Sequence, residues 1–185
     1  MIDELLQDAR EHMAKSVEAT RAKFNSVRAG RASPALLDRI VVEYYGTQTP
    51  LKQLATIHAA EARLLTIQPY DKSSIKAIER AILESDLGLT PNNDGQVVRL
   101  QIPEMTEERR REMVKVARGV AEEGRVAIRN IRRDVMHDLR ELRDSGEAGS
   151  DDEHRAEEAL QKLTDEKIAD VDAALKAKEA EILEV

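Results

Sequence analysis

A run of arginines makes residues 125–133 the most chemically distinctive part of this chain. The segment is Arg-Val-Ala-Ile-Arg-Asn-Ile-Arg-Arg, and an α-helix brings its arginines onto one face, because it advances about 100° per residue. Arg125, Arg129 and Arg133 are four residues apart, a spacing at which like charges repel by a few tenths of a kcal/mol. Arginine binds phosphate through bidentate hydrogen bonds. The segment therefore indicates a polyanion-binding stripe; the alternative is a solvated face whose arginines pair with neighbouring acids.

The stripe continues along the whole predicted helix. Measured from Arg118, a helical projection places these arginines within about 40° of one line: Arg111, Arg125, Arg129, Arg132, Arg140 and Arg143. An apolar seam at helical spacing follows the same segment: Met113, Val116, Val120, Ala127, Ile131, Val135, Leu139 and Leu142. We expect the seam to face the core and the arginines to face solvent on the far side.

Catalytic constellations are not apparent in the sequence. The chain has no cysteine, and its four histidines lack metal-ligand spacing. No glycine-rich phosphate loop or nucleophile elbow occurs. We therefore expect no enzyme activity, no cofactor and no metal. The lack of cysteine suits a reducing cytoplasm, and no apolar run reaches the length of a membrane span.

Aromatic residues are scarce, at 2% of the chain. A stacking platform for single-stranded nucleic acid needs several of them. We therefore expect any RNA to be recognised through its backbone and shape rather than through its bases.

Proline divides the chain into two kinds of structure. All five prolines lie between residues 34 and 103, and proline costs about 3 kcal/mol inside a helix. The flanking regions show apolar residues every three or four positions, which predicts helices over 2–27, over 106–142 and from residue 150 onward. Ser-Asp-Asp-Glu at 150–153 fits a capping box.

The middle segment has a different pattern. Residues 40–45, 64–67 and 97–102 are rich in β-branched and other apolar side chains and predict strands. Residues 74–83 predict a short helix, and 89–95 a loop dense in turn-forming residues.

Together these elements predict an α+β fold. An elongated antiparallel three-helix bundle comprises residues 1–29 and 104–185, because three apolar stripes must bury one another. A small β/α/β domain, residues 30–103, is inserted into it. Two chain crossings, near 29–31 and 103–105, make a hinge.

Acidity is concentrated in the third helix. Residues 147–185 carry 13 acidic and 5 basic side chains, whereas the whole chain has a net charge of −7. This distribution leaves two other hypotheses open. One is an interaction scaffold that uses the acidic helix, and the other is a homo-oligomeric coiled coil.

Five motifs together resemble one family. They are Val-Arg-Ala-Gly-Arg-Ala-Ser-Pro at 27–34, Val-Glu-Tyr-Tyr-Gly at 42–46, Leu-Gly-Leu-Thr-Pro-Asn at 87–92, Thr-Glu-Glu-Arg-Arg at 106–110 and the arginine segment extended to 134. In order and over essentially the whole chain, they resemble the bacterial ribosome recycling factors. The family often has threonine where this chain has Ala29.

The resemblance implies a structure and a function. Family members are L-shaped, tRNA-sized molecules that bind the post-termination 70S ribosome across its A and P sites, with the bundle on large-subunit rRNA. Elongation factor G, with GTP, then acts on them and the subunits separate. The factor itself is not an enzyme, and we expect a monomer.

The resemblance also implies roles for particular residues. The expected rRNA-binding residues, with Arg125 added from the arginine segment, are Arg110, Arg125, Arg129, Arg132 and Arg133. The expected interdomain hinge consists of Arg28, Ala29, Gly30, Arg31, Pro103 and Glu104.

Overall fold

The computed structural model describes residues 1–184. Its helices are α1 (Ile2–Asn25), α2 (Leu51–Leu54), α3 (Ile75–Glu84), α4 (Glu107–Asp144) and α5 (Ser150–Leu183). Its strands are β1 (Val41–Tyr44), β2 (Thr47–Pro50), β3 (Ala55–Glu61), β4 (Leu64–Pro69), β5 (Pro91–Asn93) and β6 (Val98–Gln101). The architecture is α+β, as predicted.

The chain divides into two units. The helical unit comprises Met1–Val27 and Arg110–Val185, and the small unit comprises Arg28–Arg109. The second boundary falls within the first turn of α4, a few residues beyond the position 103/104 expected from the sequence.

The helical unit is an antiparallel bundle of α1, α4 and α5. Helix α1 buries Ala9, Met13, Val17, Thr20 and Phe24, a spacing of three and four residues that forms one face. Ion pairs between α4 and α5 join Arg118 to Glu179 and Arg143 to Glu153. The residue numbers rise along one helix as they fall along the other, so these two helices run in opposite directions.

The buried face of α4 differs from the predicted seam. Of the seam residues, Val116 is 46% exposed, whereas Met113, Val135 and Leu139 are buried. The buried residues are Met113, Val114, Ala117, Ala121, Gly124, Ile128, Val135 and Leu139. On a helical projection this face borders the arginine stripe instead of lying opposite it. The prediction was therefore right in part: it followed large apolar side chains and missed the buried small residues Ala117, Ala121 and Gly124.

Two glycines in α4 have different surroundings. A Cβ atom at Gly124 would lie 2.4 Å from Thr20 Oγ1 of α1, so this glycine allows a close helix approach. A Cβ atom at Gly119 would meet nothing within 4 Å. The close helix approach therefore lies at Gly124 and not at Gly119.

The predicted capping box at the start of α5 is not formed. Gly149, with extended backbone angles, is the N-cap, and no side chain caps the helix. Glu153 is instead buried, with Arg143 Nη1 donating to its Oε1 at 3.0 Å. Because Ser150 is already helical, it cannot take the extended conformation that a capping serine needs.

The small unit contains two sheets. Strands β1 and β2 form an antiparallel hairpin whose turn residues, Tyr45 and Gly46, both have positive φ, as a two-residue type I′ turn requires. The other sheet is antiparallel in the order β3-β4-β6-β5. Its side chains alternate: Val98 and Leu100 of β6 are buried, whereas Arg99 between them is exposed.

Three strands in the small unit are absent from the sequence prediction. They are β2, β3 and β5, and β5 lies within the predicted loop 89–95. Pro91 is tolerated because β5 lies at the sheet edge. The predicted β/α/β arrangement is thus an antiparallel sheet and a hairpin around α3, which buries Ile75, Ile78 and Ile82 in their shared core.

Candidate nucleic-acid interface

Helix α4 positions the arginine stripe. Thr106 Oγ1 accepts a hydrogen bond from the backbone N–H of Arg109 at 3.1 Å, and Glu107 and Glu108 occupy the first turn. Both features stabilise a helix N-terminus. The helix has 38 residues and is therefore about 57 Å long at 1.5 Å per residue. It is long enough to present arginines at many successive turns.

Three arginines of the stripe are neutralised by α5 or by nearby acids. Arg118 Nε lies 2.8 Å from Glu179 Oε1, and Arg125 Nε lies 2.8 Å from Asp172 Oδ1. Arg143 pairs with the buried Glu153. We call Arg118, Arg125 and Arg143 the paired arginines. Glu179 and Asp172 are 61 and 47 residues away along the chain, so spacing along α4 alone could not reveal them.

Arg125 is the most tightly held of the predicted site residues. Its side chain is only 20% exposed, and it also contacts Glu122 at 3.0 Å. The hydrogen bond to Asp172 is the main cause that raises the pKa of Arg125. Its charge is therefore already compensated by two carboxylates within the protein.

The pKa of Arg143 is raised as well. The main cause is the hydrogen bond to Asp144, followed by the charge of Glu153. Arg143 is the last of the paired arginines along α4 and lies next to the loop between α4 and α5.

Arg132 has no carboxylate partner among residues 1–184. Its Nη1 donates to the neutral Gln161 Oε1 at 3.1 Å, and its Nε is buried without a hydrogen-bond acceptor. Gln161 orients the guanidinium without neutralising it. Arg132 therefore keeps both its charge and unused donors, which is what a phosphate ligand needs.

Two other predicted residues also keep their charge. Arg133 is exposed and donates to the side-chain oxygen of Asn130. Arg110 is partly buried and pairs with no carboxylate in the described part of the chain. We call Arg110, Arg132 and Arg133 the uncompensated arginines.

Arg129 is intermediate between these two groups. Its Nη1 lies 3.4 Å from Glu122 Oε1, and its side chain is 48% exposed. Contacts of this length between exposed groups contribute little stability.

The predicted hinge residues lie within the small unit. Gly30 has φ +73°, and a Cβ atom there would lie 3.3 Å from the Met105 side chain. Arg28 donates to the backbone oxygen of Leu87. A cavity of about 330 Å³ is lined by several of these residues, including Ala29 and Pro103.

Both connecting segments are tied to the turn between β3 and β4. The N–H of Ala32 donates to the oxygen of Ala62, and the N–H of Ile102 donates to the oxygen of Arg63, each at 2.7 Å. Arg63 also pairs with Glu104 at 3.2 Å. These contacts attach Ala32, Ile102 and Glu104 to the same turn of the small unit.

Residues 1–184 contain no cluster of histidine or acidic side chains arranged to hold a metal ion. Over the same range, no helix combines the length and apolarity needed to cross a membrane.

Sequence reasoning missed the residues of α5 that contact the stripe. They are Gln161, Asp172 and Glu179. A signal was available: Arg118, Arg125 and Arg132 are seven residues apart, as are Asp172 and Glu179. A seven-residue repeat of opposite charges is typical of neighbouring helices.

Known proteins share both the sequence and the fold. The family model for ribosome recycling factor matches residues 20–183. The ribosome-recycling factor of Rubrobacter xylanophilus is 59% identical over 180 residues, 97% of each chain. That of Halalkalibacterium halodurans is 57% identical over 185 residues, 100% of each chain.

Two solved structures superpose on nearly the whole chain. A solution structure of the ribosome recycling factor has a TM-score of 0.83 at 40% identity, over 100% of this chain and 98% of that one. The other has a TM-score of 0.72 at 47% identity, over 99% of both. It comes from models for the T. thermophilus ribosome recycling factor and the E. coli elongation factor G bound to the E. coli post-termination complex. On this evidence, the chain belongs to the ribosome recycling factor family.

Proposed function

We propose that this chain binds the post-termination 70S ribosome across its A and P sites and, with elongation factor G and GTP hydrolysed by that partner, splits it into subunits. Family membership supports the recycling role. The 47% identical relative in a complex with elongation factor G and the post-termination ribosome supports the two partners. The chain acts as a monomer in the cytoplasm, without a cofactor and without an enzymatic step of its own.

The state of Arg132 is the observation that carries the RNA-binding part of this proposal. Its guanidinium is held by neutral Gln161 and keeps a buried, unsatisfied Nε. The terminal N–H groups that Gln161 leaves unused are the donors that an RNA phosphate would take. With Arg110, Arg129 and Arg133, Arg132 gives α4 a series of sites for large-subunit rRNA.

The paired arginines have a different role in this mechanism. Arg118, Arg125 and Arg143 join α4 to α5 at three levels. A bundle fastened in this way resists bending and transmits force along its length. Arg125 thus supports the interface by stiffening the helix that carries it.

Movement of the small unit is the second part of the mechanism. We propose that it pivots at 28–31 and 103–105, because the ties at Ala32 and Ile102 keep the rest of each connecting segment on the β3–β4 turn. Few contacts need to break at such a junction. Elongation factor G would push on the pivoting unit while the bundle stays on rRNA.

Ribosome co-sedimentation at several salt concentrations tests this function. We expect Arg132→Ala to weaken binding and to reduce the slope of log affinity against log salt by about 0.7–0.9, the value for one lost phosphate contact. Its unfolding temperature should stay near that of the wild type.

The matched control is Arg125→Ala. It should leave the salt slope unchanged and reduce stability by about 1 kcal/mol, because Asp172 and Glu122 lose their partner. If both variants weaken binding equally, or if Arg132→Ala loses only stability, the assignment of Arg132 to phosphate is wrong.

A further inference from the structure

Glu122 contacts two arginines of the stripe. Its Oε2 lies 3.0 Å from Arg125 Nη1, and its Oε1 lies 3.4 Å from Arg129 Nη1. All three residues are on α4, three and seven positions apart, and the Glu122 side chain is 55% exposed. A solvent-accessible carboxylate thus lies inside the proposed phosphate-binding stripe.

The two contacts of Glu122 are not equivalent. Arg125 has a second carboxylate partner, Asp172, and is 20% exposed. Arg129 is 48% exposed, and Glu122 is its one acidic partner in the described chain. The pair with Arg125 therefore holds Glu122 in place, and the longer contact with Arg129 is the one that an incoming anion can displace.

Glu122 weakens the binding of a phosphate to Arg129 in two ways. The phosphate must replace the Glu122 carboxylate, and it then lies beside a negative charge that stays anchored by Arg125. Both effects weaken binding, since like charges a few ångströms apart repel even near a surface. A factor that must leave the ribosome after each cycle gains from such a limit on its affinity.

We propose that Glu122 is a positioning residue that competes with RNA phosphate for Arg129 and so limits the affinity of the stripe for rRNA. The proposal rests on the function proposed above. The ligand is the phosphodiester backbone of RNA, and Glu122 acts on the phosphate that Arg129 binds.

A double-mutant cycle tests this competition. Glu122→Gln removes the charge but keeps the side-chain size, and we expect it to tighten ribosome binding about two- to fivefold, the worth of one exposed ion pair. In an Arg129→Ala background the same substitution should have no effect on binding. That non-additivity is the signature of a direct interaction.

The control is the adjacent Glu123→Gln. It removes the same unit of charge, but Glu123 contacts Lys23 of α1 at 3.0 Å. Its effect on binding should be smaller than that of Glu122→Gln and should be the same with and without Arg129. Both variants should melt within about 4 °C of the wild type, because exposed ion pairs contribute little.

A second variant, Glu122→Asp, keeps the charge and shortens the reach of the carboxylate. We expect its binding to lie between those of the wild type and Glu122→Gln. If Glu122→Gln and Glu123→Gln tighten binding equally, or if tightening persists in the Arg129→Ala background, net charge is responsible and the proposal fails. Failure of the wild-type protein to bind ribosomes would instead refute the proposed function.

Discussion

Alanine substitutions at the two α4 glycines should shift stability in opposite directions. Gly119 is exposed and helical, and a Cβ atom added there would have no neighbour within 4 Å. Replacing glycine by alanine inside a helix stabilises it by about 1 kcal/mol. We expect Gly119→Ala to gain that full amount.

At Gly124 the same gain is opposed by a collision. The new Cβ would be 2.4 Å from Thr20 Oγ1, 1.0 Å short of the 3.4 Å at which ordinary contact begins, and 3.2 Å from Thr20 Cγ2. The Thr20 hydroxyl also donates to the Ser16 backbone oxygen at 2.9 Å, so it cannot move without losing that bond. Overpacking of this kind costs about 1–3 kcal/mol, which leaves Gly124→Ala destabilising by up to about 2 kcal/mol.

Thermal unfolding followed by circular dichroism at 222 nm separates these outcomes. One kcal/mol corresponds to about 2–4 °C in a chain of this size, so the two variants should melt on opposite sides of the wild type. Thr20→Ala removes the two nearest atoms, leaves the Thr20 Cβ at 3.3 Å, and should rescue most of the loss in Gly124→Ala. A Gly124→Ala protein as stable as Gly119→Ala would refute the close approach of α1 and α4.

Acid and backbone perturbations give two further tests in the small unit. Asp94 accepts hydrogen bonds from the N–H groups of Val97 and Gln96 and from Arg99, which lower its pKa from 3.8 to about 2. The stability that comes from a depressed carboxyl pKa is complete above pH 3.8 and is lost as the pH falls toward 2. Asp94→Asn should therefore lower the melting temperature at pH 7 but not near pH 2. A difference in melting temperature that stays constant across this range would contradict the assignment. Gly30→Pro fixes φ near −65°, whereas the backbone at this position has φ +73°. We expect the substitution to slow subunit splitting while ribosome binding persists. An unchanged splitting rate would show that this segment is not part of the hinge.

The long helices could be predicted because local signals were sufficient. Proline-free segments with apolar residues every three or four positions predicted α1, α4 and α5 to within a few residues. Strands β2, β3 and β5 could not be predicted in this way. They are short and partly polar, and their pairing with distant strands determines them.

The candidate site was predicted only at the level of its helix. The sequence placed the arginines on one face, but it could not distinguish Arg125, held by Asp172, from Arg132, held by Gln161. Those partners are 47 and 29 residues away along the chain. The close approach of α4 to α1 depends on Gly124, and a glycine carries no hydrophobic signal.

The ties of Ala32 to Ala62 and of Ile102 to Arg63 bring the entry and exit of the small unit to adjacent residues of one turn. A polypeptide whose two ends meet in this way can be cut out of one gene and grafted into a surface loop of another with short linkers. Residues 32–102 are therefore the segment to transplant, because they contain the whole core of aliphatic side chains from both sheets and α3.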